Sequence, residues 1–182
     1  MFQAFEANKL FDEIITDNTK NGYKFKTELY AKNGEISIID QGTNFISGYI
    51  DKQPEKEPWN KECIIFGDHT EIFKYINFPI YLGADGTKLL SVKNNCNTLF
   101  VYYYLSIYYK KIGGYSRHFK FLKELRIPTP PIELQNKFAE FVQHIDKLKF
   151  ICKKITFLIK IWYNETKNML NTHKRNEKYV KF

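Results

Sequence analysis

Four short polar stretches carry the residue types from which a binding or catalytic site is built. In GADGTKLL, residues 83–90, Gly83, Asp85, Gly86 and Lys88 lie between apolar runs. Glycines with a lysine can cradle phosphate, but a loop of that kind needs Gly, four residues, Gly, Lys and then Ser or Thr, opening a helix. Gly83 and Gly86 are too close, and Thr87 precedes Lys88 instead of following it, so the phosphate-loop reading fails. FGDHT, at 66–70, places Asp68, His69 and Thr70 after an apolar run; with four histidines in the chain and no second ligand at metal spacing, zinc is not expected. GGYSRHFK, at 113–120, presents Tyr115, Ser116, Arg117, His118 and Lys120 after two glycines, and Gln41, Thr43 and Asn44 form a further polar turn.

None of these stretches belongs to a known catalytic signature. The chain has no G-x-G-x-x-G cofactor loop, no G-x-S-x-G elbow and no H-E-x-x-H. It also lacks an Asn or Asp followed by Pro-Pro-Tyr, and a Pro-Asp with a following acid-x-Lys. A DNA methyltransferase or nuclease is therefore the weaker alternative, and no catalytic residue and no metal ligand is assigned.

The elements that must position these stretches follow from pattern. From residue 23 to about 92, brief β-branched and aromatic runs alternate with Gly, Asn, Asp and Pro, which predicts strands near 36–39, 45–50, 63–66, 78–82 and 88–92. NTLFVYYYLSIYYKKIGG is strand-like in composition but helical in length, with Asn97 and Thr98 as cap candidates, and predicts a helix ended by Gly113. Pro128, Pro130 and Pro131 then predict a stiff extended linker over 128–132.

Beyond the prolines, Leu134, Phe138, Phe141, Ile145, Leu148, Cys152, Ile155, Ile159, Trp162, Thr166 and Met169 recur four and three residues apart. That is a heptad seam over about five repeats, on a helix expected at 133–172. At 1.5 Å per residue such a helix is about 60 Å long. A domain of about 130 residues has a radius of gyration near 14 Å, so most of the rod overhangs it and the seam calls for a partner helix from another molecule in preference to packing within the chain. A coiled-coil scaffold without nucleic acid is the second alternative.

The expected fold class is α+β: a sheet-rich globular domain over 1–127, the linker, the long helix and a basic tail at 173–182. The formal charge of +8 favours an anionic partner. It is concentrated after residue 132, where 11 basic residues face 5 acidic ones, against 17 and 15 before it. Three cysteines with no C-x-x-C pair fit a reducing, cytoplasmic setting. The acidic start MFQAFE is unlike a signal peptide, and LFVYYYLSIYY is too short to span a bilayer.

ELRIPTPPIELQNKFAEFVQHIDKL, with its Ile-Pro-x-Pro-Pro, a Gln shortly after and an apolar-periodic helix, resembles a junction in the specificity subunits of type I restriction-modification systems, between target recognition domain and conserved spacer helix. IIDQGTNFISGYI, IIFGDHTEIFKYINFPIYLGADGTKLL and GGYSRHFKFLKEL resemble other segments of the family in its order, so that the likeness covers about residues 36–150. The resemblance implies a non-catalytic subunit that recognises double-stranded DNA for methyltransferase and restriction subunits. S-adenosylmethionine and ATP would belong to those partners, and this chain would need no cofactor. Family members usually carry two recognition domains and two antiparallel helices reading a bipartite target. One of each is found here, which implies either a truncated product or a half-length subunit forming an antiparallel coiled coil as a homodimer or with a second half-subunit. Contacts to DNA come from loops in this family, so the resemblance makes Gln41, Thr43, Asn44, His69, Thr70, Asp85, Lys88, Tyr115, Ser116, Arg117, His118 and Lys120 the candidates for base and phosphate contacts. The seam residues other than Thr166 become the dimerisation candidates.

Overall fold

The computed structural model describes residues 8–51, 54–83, 85–93, 95–114 and 116–179, with side chains up to 167. Strand β1 (Asn8–Leu10) runs into the single helical turn α1 (Phe11–Ile14), followed by β2 (Ile15–Asp17), β3 (Lys24–Phe25), β4 (Ile36–Ile39) and β5 (Gly48–Ile50). Next come β6 (Cys63–Gly67), β7 (Phe73–Ile76), β8 (Ile80–Gly83) and β9 (Thr87–Val92). Helices α2 (Thr98–Tyr108) and α3 (Phe119–Leu122), strand β10 (Arg126–Pro128) and helix α4 (Ile132–Tyr179) complete the order. The sheet-rich body followed by a long helix is the expected α+β arrangement.

Two four-stranded sheets form the body. One has the order β2-β9-β6-β7 and is antiparallel throughout; the other, β3-β8-β4-β5, pairs β8 in parallel with β3 and β4. Side chains alternate across a strand, and β6 shows what that period does here. Ile64 and Phe66 enter the core beneath the helices with Phe100, Leu105 and Phe119, whereas Cys63 and Ile65 enter the core between the sheets with Ile39, Leu82 and Leu89. Apolar demand on both faces is why CIIFG is an unbroken apolar run instead of an alternating one. Burial pushes the Cys63 thiol up to about 12, with Glu62 adding to the shift, so this cysteine is a packing residue.

The ambiguous aromatic stretch is a helix, because Asn97 accepts the Phe100 N–H at 3.1 Å and caps it. It stops at Tyr108, before the expected Gly113, since the residues that follow are drawn into other hydrogen bonds described below. The proline stretch is extended, and it is tied down by its neighbours. Pro128 closes β10, paired antiparallel with β1 in register Asn8↔Pro128, at an edge where a missing N–H costs nothing. Gln135, 1% exposed, donates from Nε2 to the Pro130 carbonyl at 2.7 Å and accepts the Asn97 N–H on Oε1 at 2.9 Å. One amide thus fastens the start of α4 to the prolines and to the cap of α2.

The chain divides into two compact units, Met1–Ala139 and Glu140–Phe182. Within the first, Phe138 packs edge-on against Phe100 and Tyr103, so this member of the seam serves its own domain. The second unit holds the part of α4 from Glu140 on, helical to Tyr179, beyond the expected end at 172 and through most of the expected tail. In it Phe141, Leu148, Ile155, Ile159 and Trp162 are each half or more exposed, Cys152 is exposed, and Ile145 and Thr166 are half-buried. The Met169 side chain lies outside the described residues. Among the described residues, no helix is long and apolar enough to cross a membrane.

Candidate nucleic-acid interface

The polar stretches meet around the connection between β6 and β7. Its residues 67–72 turn tightly: Gly67 N–H donates to the Ile72 carbonyl and Glu71 N–H to the Gly67 carbonyl. From this turn and the start of β7, three buried charged side chains each reach a different partner segment. Lys74, 4% exposed, donates from Nζ to the Asp40 carbonyl at 2.8 Å and to the Asn44 carbonyl, which holds the 40–44 turn. Desolvation holds its pKa below the usual lysine range, and the Asp40 carboxylate, 3.9 Å away, pulls the other way. Asp68 accepts the Phe119 N–H on Oδ1 at 2.8 Å, and its own carbonyl accepts the His118 N–H at 2.8 Å, which fixes the start of α3. Glu71 accepts the N–H groups of Ile112 and Gly113 and the hydroxyl of Tyr109, each at 2.8 Å. Burial alone would raise the Glu71 pKa, but these donors and the neighbouring His118 more than offset it and hold the carboxyl below its ordinary value.

Gln41 joins the same cluster from the other side. Its Nε2 donates to the Asp85 carbonyl at 2.9 Å, its Oε1 accepts the His69 N–H at 3.1 Å, and its carbonyl accepts the Thr70 hydroxyl at 2.6 Å. The His69 ring reaches the Ser116 carbonyl at 3.1 Å, and Asp68 N–H donates to the Gly86 carbonyl at 2.7 Å. The glycines of the 83–90 stretch serve this closeness. A Cβ on Gly86, whose φ is +83°, would fall 2.8 Å from the Gln41 amide and from the His69 ring, and one on Gly83 would overlap Tyr30.

The candidates therefore separate into two kinds. Gln41, His69, Thr70 and His118 are half-buried or buried and hold loops to one another. Thr43, Asn44, Asp85, Ser116, Arg117 and Lys120 are exposed at the edges of those loops, though main-chain carbonyls of Asn44, Asp85 and Ser116 are part of the clamp. Lys88 is half-buried over the Phe119 ring, 4.9 Å from its centre, and Lys120 lies over Phe121 at 4.6 Å. Tyr115 lies outside the described residues. Sequence reasoning passed over Asp40, Glu71 and Lys74. The one available signal was a charged residue set inside the apolar run EIFKYI, where alternation puts Lys74 on the same side as Ile76.

A serine, an imidazole and a carboxylate also come near one another, at Ser116, His118 and Glu71. Their geometry does not suit acyl transfer. Ser116 Oγ is 3.4 Å from His118 Nε2, which also faces the Gly114 carbonyl at 3.3 Å. Nε2 is thus shared at long range between a hydroxyl and a main-chain carbonyl, and the imidazole is not directed at the serine alone. His118 Nδ1 stands 3.7 Å from Glu71 Oε2, beyond hydrogen-bond reach, and the ring is fully buried. Among the described residues, no three His, Cys, Asp or Glu side chains gather where they could hold a metal ion. The exposed set is a hydroxyl, amide, carboxylate, guanidinium and ammonium mixture on a fixed frame, which is equipment for hydrogen bonding and ion pairing.

Comparison with known proteins adds family and fold. A family model described as the type I restriction modification DNA specificity domain matches residues 11–161. The fold is similar to the crystal structure of a type I restriction-modification system S subunit from M. genitalium, with a TM-score of 0.60 at 18% identity, over 80% of this chain and 40% of that one. It is also similar to the HsdS subunit from Thermoanaerobacter tengcongensis, with a TM-score of 0.50 at 16% identity, over 78% and 37%. A third structure, from work on complex assembly and conformational transition of the type I R-M system, matches with a TM-score of 0.54 at 15% identity, over 78% and 38%. This chain therefore spans at most about 40% of the length of these proteins. No curated protein sequence matches it.

Proposed function

The chain belongs to the family of type I restriction modification DNA specificity domains, and from that premise we propose that it reads a DNA sequence on behalf of methyltransferase and restriction subunits. The observation that carries this reading is the clustering of loops from four parts of the chain through Gln41, Asp68, Glu71 and Lys74, with Thr43, Asn44, Asp85, Ser116, Arg117 and Lys120 exposed around them. Base readout needs donors and acceptors held to within a fraction of an ångström, and a frame of buried hydrogen bonds supplies that. In this reading Arg117 and Asn44 face base edges, Lys120 and Ser116 face phosphate, and the buried candidates act through the loops they hold.

The chain has no chemistry of its own in this proposal. S-adenosylmethionine and ATP are bound by the partner subunits, which also supply much of the phosphate contact. That explains why the body, with 17 basic and 15 acidic residues before position 133, is close to neutral for a DNA reader. The exposed seam of α4 pairs antiparallel with a second such helix, from another copy or from a second half-subunit, and holds two reading domains over a bipartite target.

The test is selection of duplexes from a random-sequence pool by the chain together with its methyltransferase subunit. The reading expects one enriched bipartite sequence, bound with log K falling linearly against log salt. Arg117→Ala should weaken that duplex by about tenfold, the order of one lost bidentate base contact. Failure to enrich any sequence, or full methylation by this chain without its partner, would overturn the reading.

A further inference from the structure

Glu71 stands apart from the other buried charges in its backbone. Its φ is +55°, the only positive value at a residue other than glycine among the described residues, and it is 4% exposed. A residue with a Cβ rarely adopts that backbone conformation, and it persists only where its surroundings over-determine it. Here the carboxylate does so: Oε2 takes the Tyr109 hydroxyl and the Ile112 N–H, Oε1 takes the Gly113 N–H, and His118 borders it at 3.7 Å. The segment between α2 and α3 is thus gripped where it begins and touched where it ends.

What lies between needs such a grip. Gly113 and Gly114 have φ of +70° and +81°, and a Cβ added at either would meet nothing within 4 Å. These two glycines are there for the path of the backbone and not to make room for a neighbour. Two consecutive glycines also give the chain many alternative paths, each of which would carry Ser116 and Arg117 elsewhere. We propose that Glu71 is the positioning residue of the recognition surface: its carboxylate selects the one path of the 112–114 backbone that sets Arg117 against a base edge. The inference rests on the reading of the 113–120 stretch as facing DNA and adds to it the group that organises it. Glu71 touches no DNA in this account; it removes the ordering cost that a loose segment would add to binding.

The test uses the chain with its methyltransferase subunit and the duplex enriched in the selection above, beside an unrelated duplex of equal length. Glu71→Gln keeps the shape but turns an NH2 toward N–H donors. Amide exchange at Ile112 and Gly113 should rise by at least about tenfold, and affinity for the enriched duplex should fall by about tenfold, in line with loss of hydrogen bonds to a charged group. Affinity for the unrelated duplex and the salt slope should not change, which a general loss of structure would not permit. In the double variant with Arg117→Ala, Glu71→Gln should add nothing further, because both act through one contact. Faster exchange with undiminished affinity for the enriched duplex overturns the role of Glu71 and leaves the DNA reading intact; enrichment of no duplex by the unaltered chain overturns both. If Glu71→Gln does not fold, Tyr109→Phe removes one donor and leaves its ring against Phe66 and Phe73. It should move exchange and specific affinity in the same direction by about threefold, and an unmoved specific affinity would again overturn the proposal.

Discussion

The side chain of Gln41 accepts the backbone N–H of His69 at 3.1 Å, across 28 residues of sequence. With its other end it donates to the Asp85 carbonyl, 44 residues away, so one amide locks the β4–β5 connection, the β6–β7 turn and the β8–β9 turn together. Gln41→Ala removes both bonds and leaves two polar main-chain groups to find water. We expect a loss of about 1–3 kcal/mol from two hydrogen bonds, read as a lower urea midpoint with an unchanged slope. An unchanged midpoint would mean that the three loops hold one another without it.

Gly86 makes a separate prediction, because its demands are both conformational and steric. At φ +83° an alanine is strained, and its Cβ would crowd the Gln41 amide and the His69 ring at 2.8 Å. Gly86→Ala should cost about 1–3 kcal/mol. Gly114→Ala has a similar φ of +81° but meets no neighbour, so it should cost only the backbone share. Equal losses in thermal unfolding of the two variants would show that crowding contributes nothing.

Acid should act on the fold through Glu71. Its carboxyl is held below the ordinary 4.5 in the folded chain, where burial is outweighed by the Ile112, Gly113 and Tyr109 donors and by His118. A depressed carboxylate contributes stability that is present above the unfolded value and is lost as pH falls through the folded one. The difference in urea midpoint between the native chain and Glu71→Gln should therefore be largest at neutral pH and should shrink below about pH 4.5. A difference that stays constant into acid would remove Glu71 from this linkage.

The seam of α4 predicts association. Ile155 and Ile159 are 50% and 58% exposed on one stripe of the second unit. If the seam pairs with a second copy, light scattering should give twice the 21.7 kDa of one chain. Ile155→Glu with Ile159→Glu should return it to a single chain, since a charge at a seam position has no partner in an apolar interface. A native chain that scatters as a monomer when alone, and dimerises only with a second half-subunit, would select that version of the pairing.

Much of this architecture could be read from residue order because it rests on local period. The four-and-three spacing from Leu134 onward already implied a long helix, and the short runs punctuated by Gly, Asn and Pro implied strands close to β4, β5, β6, β8 and β9. The prolines implied an extended segment, but its pairing with Asn8–Leu10 depends on residues more than a hundred positions earlier and has no local mark. The strands β2, β3 and β7 were missed: β2 and β3 are only three and two residues long, and β7 carries Lys74 inside its apolar run.

Residue types and their order determined that the chain is an α+β body with a long amphipathic helix, and that polar residues gather in four turns of the body. Only the tertiary structure decided which of those residues hold and which are held out. Gln41, His69 and His118 looked as available for a ligand as Asn44 and Arg117, yet the first three are engaged inside the frame and the last two are exposed at its edge. Glu71 and Lys74, unremarked in the sequence, turned out to anchor two of the loops. The physical reason is that a hydrogen bond between residues 28 to 44 positions apart leaves no periodic trace, whereas burial on one face of a helix or strand repeats every few residues and writes itself into the order of the chain.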